Sequence, residues 1–168
     1  MDPEEAEHDA EMSELNLDGA IEAARRAAVN MERAGDMRVR EGNDAEAREA
    51  RDRESGAANL VREDICKECE SFYRAAEDYA LASRLQSKLG NYVDAVRLSD
   101  KAREHYEKAA GPCERCGDFA FEQADRDAAE AAYRKAERSI ANSLDPRDPA
   151  KFNQSMAKIS GIENKLKL

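Results

Sequence analysis

Two apolar-phased segments meet at Gly90-Asn91, and each carries a C-x-x-C pair, Cys66 and Cys69 before the break and Cys113 and Cys116 after it. Upstream, Val61, Ile65, Cys69, Phe72, Ala76 and Tyr79 recur at steps of three and four, which is one face of a helix over about 57–89. Downstream, Ala95, Ser99, Ala102, Tyr106 and Ala109 hold a second phase over about 92–110. A glycine just past a helix end supplies a left-handed cap. The two segments are therefore expected to fold back antiparallel, with residue i level with about 181 − i. Cys66 then faces position 115 and Cys69 position 112, so four sulfurs distant in sequence gather at one end of a hairpin.

Cysteines at i and i+3 share a helix face, and a pair at a helix start is stabilised as thiolate by free N–H groups. Cys113-Glu-Arg-Cys116-Gly117 also has the form of a zinc knuckle. The expectation is a tetrahedral Zn(Cys)4 site with sulfurs about 2.3 Å from Zn2+. Four protein ligands leave no open position, which makes such an ion structural, and a structural zinc stabilises by ~10 to 16 kcal/mol at pH 7. Three alternatives stay open: Cys66, Cys69, Cys113 and Cys116 as buried small hydrophobes, as a dithiol switch and redox or zinc sensor, or as ligands of an iron–sulfur cluster. His105 lies eight residues before Cys113, about 12 Å along a helix, and is no fifth ligand.

The remaining chain reads the same way. Ile21, Ala24, Ala28, Met31 and Ala34 mark a first helix ending at Gly42-Asn43, and a second covers about 44–54. Gly111-Pro112 is read as a stop and restart. A short helix to about Gln123, one over about 126–143 and one over about 150–165 complete a set of about seven, the 57–89 helix being extra long. No segment alternates with period two, so the fold class is all-α. Residues 1–12 carry six acids and no base and are expected to be a disordered tail, leaving 13–168 as one helical domain with 149–168 as its capping helix.

A net charge of −10 argues against nucleic acid or an anionic membrane as partner. No apolar run approaches the ~20 residues of a membrane span, and MDPEEAEHDAEMSE does not resemble a signal peptide. The expected location is cytoplasmic, where thiols stay reduced, and that favours metal over disulfide. With nine aromatics and much alanine, each helix buries a thin stripe, so a staple would be valuable.

Self-comparison aligns GNDAEAREARDRE from Gly42 with GNYVDAVRLSDKARE from Gly90, and the latter with ADRDAAEAAYRKAER from Ala124 at an offset of 124 − 90 = 34. Together with Gly117, Ala129, Tyr133 and Ala136, and with Gly35, Gly42 and Ala47 in the same slots of the first unit, the chain from about 28 to 144 resembles the tetratricopeptide repeat family. The resemblance implies a helical hairpin array with a concave face for a protein or peptide partner. Two departures stand out: Cys116 and Ala34 sit where a large apolar residue is usual, and the middle unit has an extra 48 − 34 = 14 residues that lengthen its first helix toward the N-terminus. The basic and asparagine clamp some members use on acidic tails falls here partly on Glu32 and Asp36.

No phosphate-binding glycine loop, nucleophile elbow or H-E-x-x-H is present in the sequence. His8 follows Glu5 as E-x-x-H without a second copy, and His105 reads as a surface or boundary histidine. The segment 151–168 has four lysines and one acid, and its alternatives to capping are docking on an acidic partner surface or lying as a helix on a membrane surface. The expectation is a non-catalytic interaction module on a zinc-stapled helical array, with self-association among its partner classes.

Overall fold

The computed structural model describes the backbone of residues 3–167 and the side chains of residues 17–167. Five helices follow in order, α1 (Pro3–Glu54), α2 (Ala58–Lys88), α3 (Tyr92–Glu122), α4 (Arg126–Asn142) and α5 (Pro149–Leu166), with no strand among the described residues. Each packs chiefly on its neighbours in sequence, as an up-and-down array. The all-α class holds, but the count is five and not seven, because two expected breaks are absent. The side chains of residues 1–16, including Glu5 and His8, lie outside the described residues, and so does most of what the tail expected at 1–12 concerns.

The first missing break is at Gly42, inside α1. A Cβ there would lie 2.6 Å from the ring of Phe72, and one at Gly35 would lie 2.7 Å from the ring of Tyr79. These glycines let an aromatic ring of α2 press on the α1 backbone, so their smallness serves packing and not chain reversal. At seven residues apart they repeat two helical turns, as do Phe72 and Tyr79. The longest helix is consequently α1, not the 57–89 segment.

The second missing break is Gly111-Pro112, inside α3. Proline removes one backbone donor and disfavours a helical conformation in the residue before it through a clash with that residue's Cβ. Gly111 has no Cβ to clash with the proline ring, so the helix runs on.

Three connectors use one turn. Gly56, Gly90 and Ala124 take φ of 75°, 77° and 61°, and the next residue's N–H bonds back five positions, Ala57 to Asp52 O, Asn91 to Gln86 O and Asp125 to Ala120 O. This left-handed cap ends a helix and reverses the chain in three residues. Asp125 then accepts from the N–H of Ala128, and Asp148 from that of Lys151, capping α4 and α5.

The core runs along the faces where α2, α3 and α4 meet, through Phe72, Tyr73, Ala76, Tyr79, Leu98, Tyr106, Tyr133 and Ile140, and Ile162 of α5 closes its end. Many of its members are alanines, which suits closely approaching helices and makes each aromatic contact count. Replacing Gly42 by Ala should cost about 1 to 3 kcal/mol by driving Phe72 out of place. Replacing Gly161, which has open space around it in α5, should instead stabilise by about 0.5 to 1 kcal/mol. Urea unfolding of the two variants checks both signs, and an unaffected Gly42→Ala protein would contradict the packing role.

Candidate functional site

The α2–α3 hairpin brings the four cysteines together, one residue away from the register expected of the sequence. The sulfurs are bonded in pairs, Cys66 to Cys116 and Cys69 to Cys113, with Cα separations of 5.0 and 4.6 Å. Both pairs of numbers total 182, so the two bonds are rungs of one antiparallel ladder. This corrects the zinc expectation. Sulfurs that are bonded to each other are not thiolates and cannot ligate a metal, and among the described residues no group of His, Cys, Asp and Glu is placed to hold one. The redox alternative gains no support from this arrangement. The cytoplasmic expectation rested on reduced thiols, and two formed disulfides overturn it in favour of an oxidising environment.

The second C-x-x-C lies in a stretch of α3 that touches every other helix. Cys113 and Cys116 hold α2. Glu114 accepts from Lys165 of α5 at 2.7 Å, and Arg115 donates to Glu49 of α1 at 3.2 Å. Gly117 lies under the Tyr133 ring of α4, and Asp118 accepts from the Tyr133 hydroxyl at 2.7 Å and from Lys165 at 2.8 Å. The same pattern stands at Glu32, Gly35 and Asp36 of α1. Gly35 lies under Tyr79, the Tyr79 hydroxyl donates to Asp36 at 2.6 Å, and Lys101 approaches Glu32 and Asp36 at 3.5 and 3.6 Å. In each copy the lysine also sits over the tyrosine ring, at 5.1 Å for Lys101 and 5.5 Å for Lys165. The signal is in the sequence as Glu-Arg-x-Gly-Asp at 32–36 and 114–118, a repeat that the alignment of the glycines alone does not bring out.

Beside this stretch of α3, α1 and α2 bury acids that periodicity alone does not mark. Glu68 is 3% exposed and its Oε1 has no partner within the protein, while Glu49 receives Arg53 and Arg115. Burial pushes the Glu68 carboxyl up to about 8, helped by its hydrogen bond to Glu49 and by that group's charge. Burial raises Glu49 as well, but its hydrogen bond with Glu68 and the charges of Arg115 and Arg53 outweigh that and hold it below the usual range. His105 is not on the surface as expected. It is buried, its Nδ1 lies 2.7 Å from the carbonyl of Lys101, its ring faces Phe72 and Tyr79, and burial lowers its pKa.

An open concavity lies elsewhere. Helix α4 has 17 residues against the 31 of α3, and it stops at Asn142. Where it stops, a groove of about 710 Å3 continues along α2 and α3, walled by Tyr73, Leu81, Arg84, Tyr106 and Leu144. Tyr92 and Val96, both exposed, extend its α3 wall toward the turn at Gly90 at helical spacing. Beyond Leu144 the loop forms an apolar cup with Pro146, Pro149 and Phe152. No helix among the described residues is long and apolar enough to cross a membrane. No family model, curated protein or solved structure matches the chain.

Two outcomes test the site. The first concerns the disulfides. Protein unfolded without reductant should show no free thiol, and a chelator should leave its melting temperature unchanged. In the chain-entropy account one rung closing a loop of about 50 residues stabilises by about 4 kcal/mol, and the second, closing a much smaller ring, by about 2.5 kcal/mol. Removing one rung as Cys66→Ala with Cys116→Ala should therefore cost about two-fifths of what removing both costs. The second outcome concerns pH. A carboxyl whose folded pKa lies above its unfolded value of 4.5 stabilises below pH 4.5, and that contribution is lost as pH rises through about 8. His105, with a folded pKa below 6.5, acts the other way and only below about 6.5. Stability should thus fall from pH 6.5 to above 8, and Glu68→Gln should flatten that fall in pH-dependent denaturation.

Proposed function

We propose that this protein is a non-catalytic docking platform, clamped by its two disulfides, that receives an amphipathic helix in the groove along α2 and α3. The groove itself carries the reading: α4 packs on the α2–α3 hairpin, then ends and leaves the same berth open for further helix, walled by Tyr73, Leu81 and Tyr106. Leu81 on α2 and Tyr92 and Val96 on α3 are exposed apolar anchors, and Glu77, Arg84, Ser99 and Arg103 line the groove between them, which suits an amphipathic partner with apolar positions three and four residues apart. A tetratricopeptide-like relationship belongs to this proposal. Its support is the repeated crossing of a small residue and an aromatic ring, at Gly35, Gly42 and Gly117, between successive antiparallel helices.

The non-catalytic part is supported by where the reactive groups lie. His105 and the Glu49–Glu68 pair are enclosed between helices and line none of the groove. A rigid floor also suits docking, since preorganised walls lose little freedom on binding.

A photoreactive side chain in place of Leu81 or Val96 should form adducts that map to a helical segment. The same group in place of Phe121, exposed at the far end of α3, should form few. Equal labelling at the three positions would overturn the groove as the docking face.

A further inference from the structure

We infer that the groove is filled by α1 of a second copy, so that two chains clasp each other through their N-terminal overhangs. This rests on the docking reading above and names its partner. Gly35 faces Tyr79 and Gly42 faces Phe72, so paired residues of α1 and α2 total 114. The last residue of α2, Lys88, is then level with residue 114 − 88 = 26 of α1. Residues 3–25 of α1 extend past the end of the α2–α3 hairpin, an overhang of about 35 Å. A helix without neighbours is marginal in water, and its stability comes from burying an apolar face.

The overhang has such a face. Leu17, Ile21 and Ala24 continue at steps of four and three to Ala28, which is 1% exposed where α2 begins to cover the stripe. Leu17, beyond that cover, is 61% exposed. The groove offers a matching berth at the same end of the molecule: Leu81, Tyr92 and Val96 are exposed along it, and its α3 wall from Tyr92 to Tyr106 is about 20 Å long.

Charge favours the match. Among the described residues the overhang carries Asp18, Glu22 and Arg25, with Glu22 paired to Arg26 at 3.2 Å, and its sequence before residue 17 adds acids without a lysine or arginine. The groove wall presents Arg84, with Lys88 at its tip, while Arg103 is paired with Asp100 at 2.9 Å. Of the groove acids, Asp78 is held by Arg38 at 2.8 Å, which leaves Glu77 facing the opening.

Symmetry also closes. α1 packs on Phe72 and Tyr79 of α2, while α4 packs beside Tyr73 and Glu70, so the overhang and the groove lie on different sides of the hairpin. Two copies related by a two-fold axis at the Gly90 turns can therefore each lay an overhang in the other's groove. The arrangement is isologous and ends at a dimer. It also brings together the tips, where Val93 is 87% exposed.

Light scattering across a concentration series tests this on the full chain. The purified protein should have twice the chain mass of 18.7 kDa and fall to it on dilution, and added salt should weaken the association. Ile21→Glu and Leu81→Glu should each raise the dissociation constant at least ~30-fold. Phe121→Glu should not change it, and all three variants should keep the parent circular dichroism spectrum. A mass of 18.7 kDa at every concentration, or a dimer that neither Ile21→Glu nor Leu81→Glu weakens, would overturn the clasp. In a mixture of isotopically light and heavy chains, a photoreactive group at position 81 should link to residues 17–25 of the other isotope. Adducts in source extract that instead map to a helix of a different protein would overturn the clasp and leave the docking face standing. Labelling no greater than at position 121 would remove both.

Discussion

The pair of rungs between α2 and α3 is the constraint on which the other packing depends. Proline inside a helix costs about 3 kcal/mol and leaves a carbonyl without its donor, and here Pro112 immediately precedes the upper rung. Cys113 and Cys116 fix the first turn beyond that weak point against α2. With that turn held, Glu114, Arg115, Gly117 and Asp118 point at α5, α1 and α4 in the positions their partners require. A six-residue stretch thereby sets where three other helices lie.

The same logic explains why a chain so rich in alanine and charge can be ordered. Thin apolar stripes contribute little per helix, and the surplus comes from directed contacts: rings pressed on glycine backbone, tyrosine hydroxyls on aspartates, lysines shared between two carboxylates and a ring. The α1–α2 and α3–α4 crossings use that set twice, with Lys101 and Lys165 supplied by the following helix in each case. Burying Glu68 runs against stability near neutral pH, and the Arg115 bridge to its partner Glu49 limits that cost.

Much of this was legible in the residues. Periodicity located α2 to within a residue at each end, and the Gly90 turn gave the hairpin and hence the meeting of the cysteines. What sequence could not decide was bond against metal, because four sulfurs converging in two C-x-x-C pairs satisfy both, and the choice was made by an assumed reducing compartment. The misplaced breaks share a cause. Gly42 and Gly111 look like Gly90 in sequence, yet one is small to admit a ring and another to tolerate a following proline, and only Gly90 adopts a positive φ. His105, next to Tyr106, reads in the sequence as a surface or boundary residue, but the phase of α3 turns it onto Tyr79. The groove was not foreseen, since it arises from the difference in length between α3 and α4 and from no residue in particular.

Because the two rungs lie at one end of the α2–α3 hairpin, the chain from Cys69 to Cys113 is a covalently closed lobe with the Leu89-Gly90-Asn91 turn at its apex. A protease that nicked this apex would create new termini without producing two fragments. The halves would stay tethered, and the packing beyond the ladder would not feel the cut.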